Sequence, residues 1–144
     1  MSSRFIKYSW AVLGYTLLAL MTGAFVRATG SGAGCGSHWP LCNGEIIPRA
    51  PRVDTIIEFT HRASSGLTLV LIAILAIWAW RSASSGRLVR RASAAALLFI
   101  LFEAVIGAWL VRYNLVTTND SAARAVLIMF HLVNTFFLLA SLAL

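Results

Sequence analysis

Charged residues are scarce in this sequence. Only 12% of the 144 residues are charged, and 5 acidic residues stand against 12 lysines and arginines. A soluble domain carries about a quarter charged residues and is about half apolar. Here 59% of the residues are hydrophobic and the mean hydropathy is +0.80. The composition excludes an ordinary soluble domain and indicates an integral membrane protein with a single domain, residues 1–144.

Proline is confined to one segment. All three prolines lie within residues 27–55, together with five glycines, which predicts an irregular, turn-rich loop there. Outside this loop, four apolar stretches are long enough to cross a hydrocarbon core, which takes about 20 helical residues. They cover about 10–26, 56–80, 92–111 and 125–144. The fold class is therefore predicted to be all-α, an integral membrane four-helix bundle.

Basic residues are denser at one end of this bundle than at the other. Arg4 and Lys7 precede the first span, and the turn at 81–91 holds four arginines and no acidic residue. Short cytoplasmic segments of membrane proteins are enriched in such residues. We therefore predict an up-down-up-down topology in the cell membrane, with both termini cytoplasmic and the loop 27–55 outside. No basic face remains for nucleic acid, which is not expected as a partner.

Cysteine occurs only at Cys35 and Cys42, both in the outer loop. The space outside a bacterial membrane is oxidising, so a disulfide closing this short loop is a reasonable prediction. Such a disulfide would stabilise the fold by lowering the conformational entropy of the unfolded chain. Two unpaired thiols, or a metal site made by Cys35, His38 and Cys42, are the alternatives.

Two histidines interrupt the apolar spans. His61 lies seven residues beyond Asp54, and His131 lies seven beyond Arg124. Each imidazole is therefore about 10 Å below a charged residue at the same predicted membrane edge. Ionisable groups at membrane depth mark functional sites by default, and two imidazoles on two helices can bind one haem iron. We predict a bis-histidine haem site, although each histidine could instead make an interhelical hydrogen bond.

Three charged residues lie near the predicted depth of the histidines. Glu58 is about one turn from His61 on the same helix face, where it could transfer protons or act as a nucleophile. Arg62 could bind a haem propionate in bidentate fashion, or pair with Glu58. Glu103, about 13 Å deep in the third span, could join the same pocket or bind a second-span hydroxyl such as that of Ser65.

Other small or polar residues in the spans are assigned to packing. Glycines allow membrane helices to approach closely, and the spans contain Gly14, Gly23, Gly66 and Gly107. Asn134 and Thr135, one turn beyond His131, are predicted to be packing and hydrogen-bonding partners.

Several blocks of the sequence resemble the haem A synthase family. They are GAFVRATGSG at 23–32, Cys35 with WPLC at 39–42, EFTHR at 58–62, ARAV at 123–126 and HLVNT at 131–135. The blocks occur in the family's order and cover nearly the whole chain. Their combination is specific, whereas the Glu-x-x-His-Arg motif alone is a weak signal.

The resemblance implies oxidation of the C8 methyl group of haem O to the formyl group of haem A, for terminal oxidase assembly. It implies that His61 and His131 are the histidine pair for the substrate haem and that Glu58 is the carboxylate required for turnover. It also implies a disulfide between Cys35 and Cys42. Besides the haem substrate and the lipid bilayer, haem O synthase and terminal oxidase assembly factors are then candidate partners.

The chain departs from the family in length. Family members usually have eight spans in two similar halves, and the second half carries its own histidine pair and a haem B cofactor. This sequence resembles the first half. It is expected to be either a fragment lacking the C-terminal half or a half-size member that assembles as a homo-oligomer, with haem B supplied by the other half or copy.

Two other functions remain open at this point. One is a non-catalytic bis-histidine protein that binds haem or transfers electrons, with Glu58 and Arg62 forming only a structural pair. The other is a thiol–disulfide membrane enzyme that acts through Cys35 and Cys42. The enzyme reading and the haem-carrier reading differ in what they require of Glu58.

Overall fold

The computed structural model describes residues 2–82, 85–117 and 119–144, and its main elements are four α-helices. They are α1 Ser3–Ala28, α2 Val53–Arg81, α3 Arg87–Arg112 and α4 Ala122–Ala143. All four are long and apolar enough to cross a membrane. The described residues form no β-strand, only an isolated bridge between Cys42 and Glu45. The predicted all-α membrane bundle is confirmed, and the protein is a multi-pass membrane protein.

Each helix begins before the apolar stretch that predicted it. α1 starts at Ser3 rather than near residue 10, because the Ser2 side chain caps it by accepting a hydrogen bond from the Phe5 N–H at 3.2 Å. Ser121 caps α4 in the same way through the Arg124 N–H at 3.3 Å. Ala83 and Ser84, which belong to the predicted cytoplasmic turn, lie outside the described residues.

Consecutive helices pack as antiparallel pairs. Phe5, near the start of α1, lies edge-on to Trp78, near the end of α2, with ring centroids 5.6 Å apart. Phe99 of α3 stacks on Phe137 of α4 at 5.5 Å. α2 also packs on α3, and α1 on α4, which closes the ring. The orientation of this ring in the membrane, with cytoplasmic termini, stays a prediction.

The diagonal helices α2 and α4 stand apart. Among the described residues, no Cα atom of α2 comes within 8 Å of a Cα atom of α4. The two helices are therefore separated by more than the distance of directly packed neighbours. His61 lies on α2 and His131 on α4.

The apolar core occupies the end of the bundle where the chain begins. It draws on the first half of α1, the second half of α2, the first half of α3 and the last turns of α4. Its members are Phe5, Val12, Ile72, Leu75, Ala79, Ala96, Ile100, Leu138 and Leu142. The two buried carboxylates, Glu58 and Glu103, both lie towards the opposite end. One end of the bundle is thus an apolar core, and the other collects buried charge near the histidines.

Candidate functional site

A loop over residues 29–52, called here the disulfide loop, connects α1 to α2 and folds back onto the start of α2. Cys35 and Cys42 are bonded and buried, so the predicted disulfide is present and the alternative metal site cannot form from these oxidised sulfurs. The Thr55 hydroxyl donates to the Gly34 carbonyl at 2.8 Å. A Cβ at Gly34 would lie only 2.4 Å from backbone atoms of Asp54. The loop therefore docks by direct backbone contact.

Glu58 and Arg62 fasten this loop to α2. The Glu58 side chain is buried, and its Oε2 accepts from the Cys35 N–H at 2.7 Å. Its Oε1 accepts from Arg62 Nε at 3.0 Å and also from Nη2. Arg62 Nη1 donates to the carbonyls of His38 and Leu41, at 2.5 and 2.7 Å. The Arg–Glu pair considered from the sequence is formed, and most donors of Arg62 already have protein partners.

These contacts bear on two predicted roles. Glu58 lies one turn from His61, as the sequence placed it, but both its oxygens accept hydrogen bonds from the protein. Arg62 contacts loop carbonyls, so binding a propionate would need its one remaining Nη2 hydrogen or a rearrangement. Catalysis by Glu58 and propionate binding by Arg62 stay predictions.

His61 packs against α1. Its Nδ1 lies 3.1 Å from the Thr22 hydroxyl oxygen. The ring rests on the bare backbone of Gly23, where a Cβ would lie 2.7 Å from Cε1. The Thr22 hydroxyl has two acceptors for its proton, the Ala19 carbonyl at 2.7 Å and Ser64 Oγ at 3.1 Å. The proton is thus used there, and we assign Nδ1–H of His61 as the donor to Thr22.

His131 packs against α3 in an analogous way, but its partner is a carboxylate. Nδ1 of His131 contacts Oε2 of the buried Glu103. Oε1 of Glu103 accepts from Asn134 Nδ2 at 2.7 Å and from the Thr135 hydroxyl at 3.0 Å. The predicted hydrogen-bonding role of Asn134 and Thr135 is therefore observed. Glu103 bonds to α4 rather than to Ser65 of α2.

The two rings are presented alike. The Nδ1 of His61 lies at hydrogen-bond distance from the Thr22 hydroxyl, whereas the Nδ1 of His131 forms an ion-pair contact with Glu103 that lacks hydrogen-bond geometry. Within the described part of the chain, no hydrogen bond joins either Nε2 to a neighbouring helix. Both side chains are half-buried. An imidazole that donates through Nδ1 keeps the Nε2 lone pair for a metal. This donor set on diagonal helices fits a haem iron, and ligation by both residues stays a prediction.

Sequence reasoning missed the partners of His61. Gly23 was assigned to helix packing and Thr22 was not singled out. A Cβ would meet nothing within 4 Å at the other three glycines assigned to packing, Gly14, Gly66 and Gly107. The sequence signal for this contact was the hydroxyl of Thr22 beside Gly23, predicted at the level of His61. It is a weak signal, because a threonine hydroxyl in an apolar span usually bonds to a carbonyl of its own helix.

The comparison with known families rests on nearly the whole chain. A sequence model of the cytochrome oxidase assembly protein family, COX15-CtaA, matches residues 7–144. The chain belongs to this family. Proteins named haem A synthase are among its relatives, which confirms the resemblance found in the sequence blocks.

Three relatives of this COX15-CtaA member show the range of sequence identity and coverage. The haem A synthases of Alkalihalophilus pseudofirmus and Halalkalibacterium halodurans are each 50% identical over 92 residues, covering 64% of this chain and 31% of theirs. A Thermus thermophilus protein named protoheme IX farnesyltransferase is 53% identical over 142 residues, covering 99% of this chain and 23% of its own length. The matched segment thus spans only 23 to 31% of the length of these curated relatives.

Proposed function

We propose that this chain binds haem O between His61 and His131 and takes part in oxidising its C8 methyl group to the formyl group of haem A. The observation that carries the proposal is the matched presentation of two imidazoles on the diagonal helices α2 and α4. Each has its Nδ1 in contact with a polar side chain of the preceding helix, and among residues 2–82, 85–117 and 119–144 no hydrogen bond to either Nε2 is found. Membership of the COX15-CtaA family supports this reading over an interhelical hydrogen bond for each histidine.

In this proposal the protein's part is to hold and orient the substrate. His61 and His131 would hold the iron, so that the haem would lie on the side of α2 that carries His61. Glu58, one turn away and buried, is the proposed catalytic carboxylate at the reacting methyl group. Its hydrogen bonds to the Cys35 N–H and to Arg62 fix its position relative to the haem site.

The reaction needs a second redox centre. Converting a methyl to a formyl group is a four-electron oxidation, so a group other than the substrate has to receive electrons. With water as the source of the formyl oxygen, the conversion releases four electrons and four protons. We propose that a haem B bound in a second half or second copy would relay these electrons one at a time to an external acceptor, since this chain covers only 31% of the haem A synthases it matches. The four helices described here would then form the substrate-binding half.

A second candidate function is favoured by one observation. Both carboxylate oxygens of Glu58 are occupied by the Cys35 N–H and by Arg62, as expected of a structural clamp. In that case the chain would be a bis-histidine haem carrier or electron-transfer protein. The two functions differ in whether Glu58 takes part in chemistry.

Substitution of Glu58 in a haem-O-producing host that makes no haem A separates them. The wild-type chain, expressed there with any partner half its own genome provides, should yield haem A in extracts analysed by chromatography and mass. Glu58→Gln keeps an oxygen for the Cys35 N–H but loses the carboxylate, and is expected to retain haem O and lose conversion. Glu45→Gln, at a half-exposed acid of the disulfide loop, is the matched control and should convert normally.

The outcomes assign the function. Haem A from the wild type and from Glu58→Gln alike would remove Glu58 from the chemistry and leave it a clamp. Bound haem with no conversion by the wild type would favour the carrier.

A further inference from the structure

We propose that the two histidine ligands are electronically unequal, with Glu103 tuning the haem through His131 while Thr22 only orients His61. The inference rests on the part of the proposed function that has both histidines binding one haem iron. It does not require that the haem be oxidised. Neither Glu103 nor Thr22 touches the haem in this account, so both are positioning residues.

Glu103 is held so that one oxygen points at His131. The Asn134 amide donates one hydrogen to the Phe99 carbonyl at 2.9 Å and the other to Glu103 Oε1 at 2.7 Å. The Thr135 hydroxyl contacts the same oxygen at 3.0 Å. Oε2 is therefore left to the His131 Nδ1. With its side chain 9% exposed, Glu103 has little water to compete for that contact.

The partner of His61 is of a different kind. Thr22 offers a neutral hydroxyl oxygen at 3.1 Å, already donating to the Ala19 carbonyl at 2.7 Å. The contact between Glu103 and the His131 Nδ1 is an ion pair outside hydrogen-bond geometry, so Glu103 acts on the ring through its charge. A carboxylate beside a metal-binding histidine raises the basicity of the ring, which a neutral hydroxyl does far less. His131 is therefore the stronger electron donor and stabilises ferric over ferrous iron, whereas Thr22 fixes the ring position and proton of His61.

The test uses the full chain loaded with haem B, so that no turnover is involved, and measures the midpoint potential by spectroelectrochemistry. Glu103→Gln keeps the shape and an acceptor oxygen but removes the charge. It is expected to favour the ferrous form about tenfold, which is a rise of about 59 mV for one electron. Thr22→Val should shift the ratio by less than threefold, and Thr22→Ser, which restores the hydroxyl, should match the wild type.

A third variant distinguishes tuning from mere support. Thr135→Val removes a hydroxyl whose proton is shared between Glu103 Oε1 and the His131 backbone carbonyl. It leaves the His131 ring in place and leaves more negative charge on Glu103 for Nδ1. The midpoint potential should therefore fall, opposite in sign to the change in Glu103→Gln. A role in packing alone would not produce opposite signs.

Three results would overturn the inference. They are equal shifts in Glu103→Gln and Thr22→Val, shifts of the same sign in Glu103→Gln and Thr135→Val, or loss of the low-spin haem spectrum in Glu103→Gln while Thr135→Val keeps the wild-type potential. The proposed function fails separately. If the wild type makes no haem A but these shifts appear, the reaction is wrong and the unequal ligands stand.

Discussion

The α1–α2 hairpin and the α3–α4 hairpin present a histidine in the same way and support it differently. In each, the second helix carries the imidazole and the first helix supplies the partner of Nδ1. In α1–α2 that partner is the Thr22 hydroxyl, and the ring lies on Gly23. In α3–α4 it is the Glu103 carboxylate. The first hairpin holds His61 by close packing on Gly23 and a neutral hydroxyl, whereas the second holds His131 by contact with a carboxylate.

The connections of the two hairpins differ as well. α1 and α2 are joined by the disulfide loop, which Glu58 and Arg62 fasten to α2. α3 and α4 are joined by residues 113–121, where Thr117 donates to the Gly30 carbonyl of the disulfide loop at 3.2 Å. The loop therefore adds a link between the two hairpins at the histidine end, beside the packing of α2 on α3 and of α1 on α4. Damage to it should cost stability, whereas damage around either histidine should cost haem binding.

The largest effect on stability is expected from Gly34→Ala, which would disrupt the contact between the disulfide loop and the start of α2. The new Cβ would lie 2.4 Å from Asp54 backbone atoms, and backbone cannot move aside cheaply. Overpacking of this kind costs about 1–3 kcal/mol or more. Thermal unfolding in detergent should show a clearly lowered midpoint. Gly86→Ala, where a Cβ meets nothing within 4 Å, is the control, and equal midpoints for the two variants would contradict the docking described here.

The next largest effect, a loss of bound haem, is expected from Gly23→Ala, which would remove the close packing of the His61 ring on the backbone of Gly23. A Cβ at this position would lie 2.7 Å from the ring, which can swing away at little cost to the fold. Haem content per protein, measured by the pyridine haemochrome method, should fall about tenfold. The unfolding midpoint should stay near that of the wild type. Gly107→Ala on α3, where a Cβ has open space, should retain full haem; loss of haem in both variants would deny Gly23 its role.

A smaller effect is expected from Arg62→Lys. A lysine ammonium cannot reproduce the planar fork that bonds Glu58 and the His38 and Leu41 carbonyls. The ring closed by the disulfide should loosen, so that dithiothreitol reduces Cys35–Cys42 several-fold faster, as followed by thiol alkylation. Arg49→Lys, at an exposed arginine of the same loop, should not change the rate. A rate unchanged in Arg62→Lys would mean that the clamp does not protect the disulfide.

The bundle and the disulfide could be predicted from sequence for simple reasons. Span length follows from the apolar runs, and two cysteines in one short loop leave a single pairing. The contacts of the histidines could not be predicted, because residue depth does not fix how each helix is rotated about its axis. The spacing placed Glu103 near the level of His131, which it contacts, but its contact with His131 rather than Ser65 depended on the packing of α3 against α4.

Residue spacing also left the roles of Glu58 and Arg62 open. An i,i+4 acid–base pair satisfies both a structural and a cofactor-binding reading. Only the folded loop reveals that Arg62 reaches the carbonyls of His38 and Leu41. These carbonyls lie in the segment that the Cys35–Cys42 disulfide closes. The path of that segment cannot be predicted from sequence periodicity, because it is an irregular loop.

The central claim is that the Nε2 atoms of His61 and His131 bind the same haem iron. Low-temperature electron paramagnetic resonance of the haem-loaded chain tests it most directly, with His38→Ala as the control because His38 contributes only its backbone carbonyl to the clamp. The wild type and His38→Ala should give a low-spin ferric signal. His61→Ala and His131→Ala should each lose it. A low-spin signal that survives both substitutions unchanged would contradict the account.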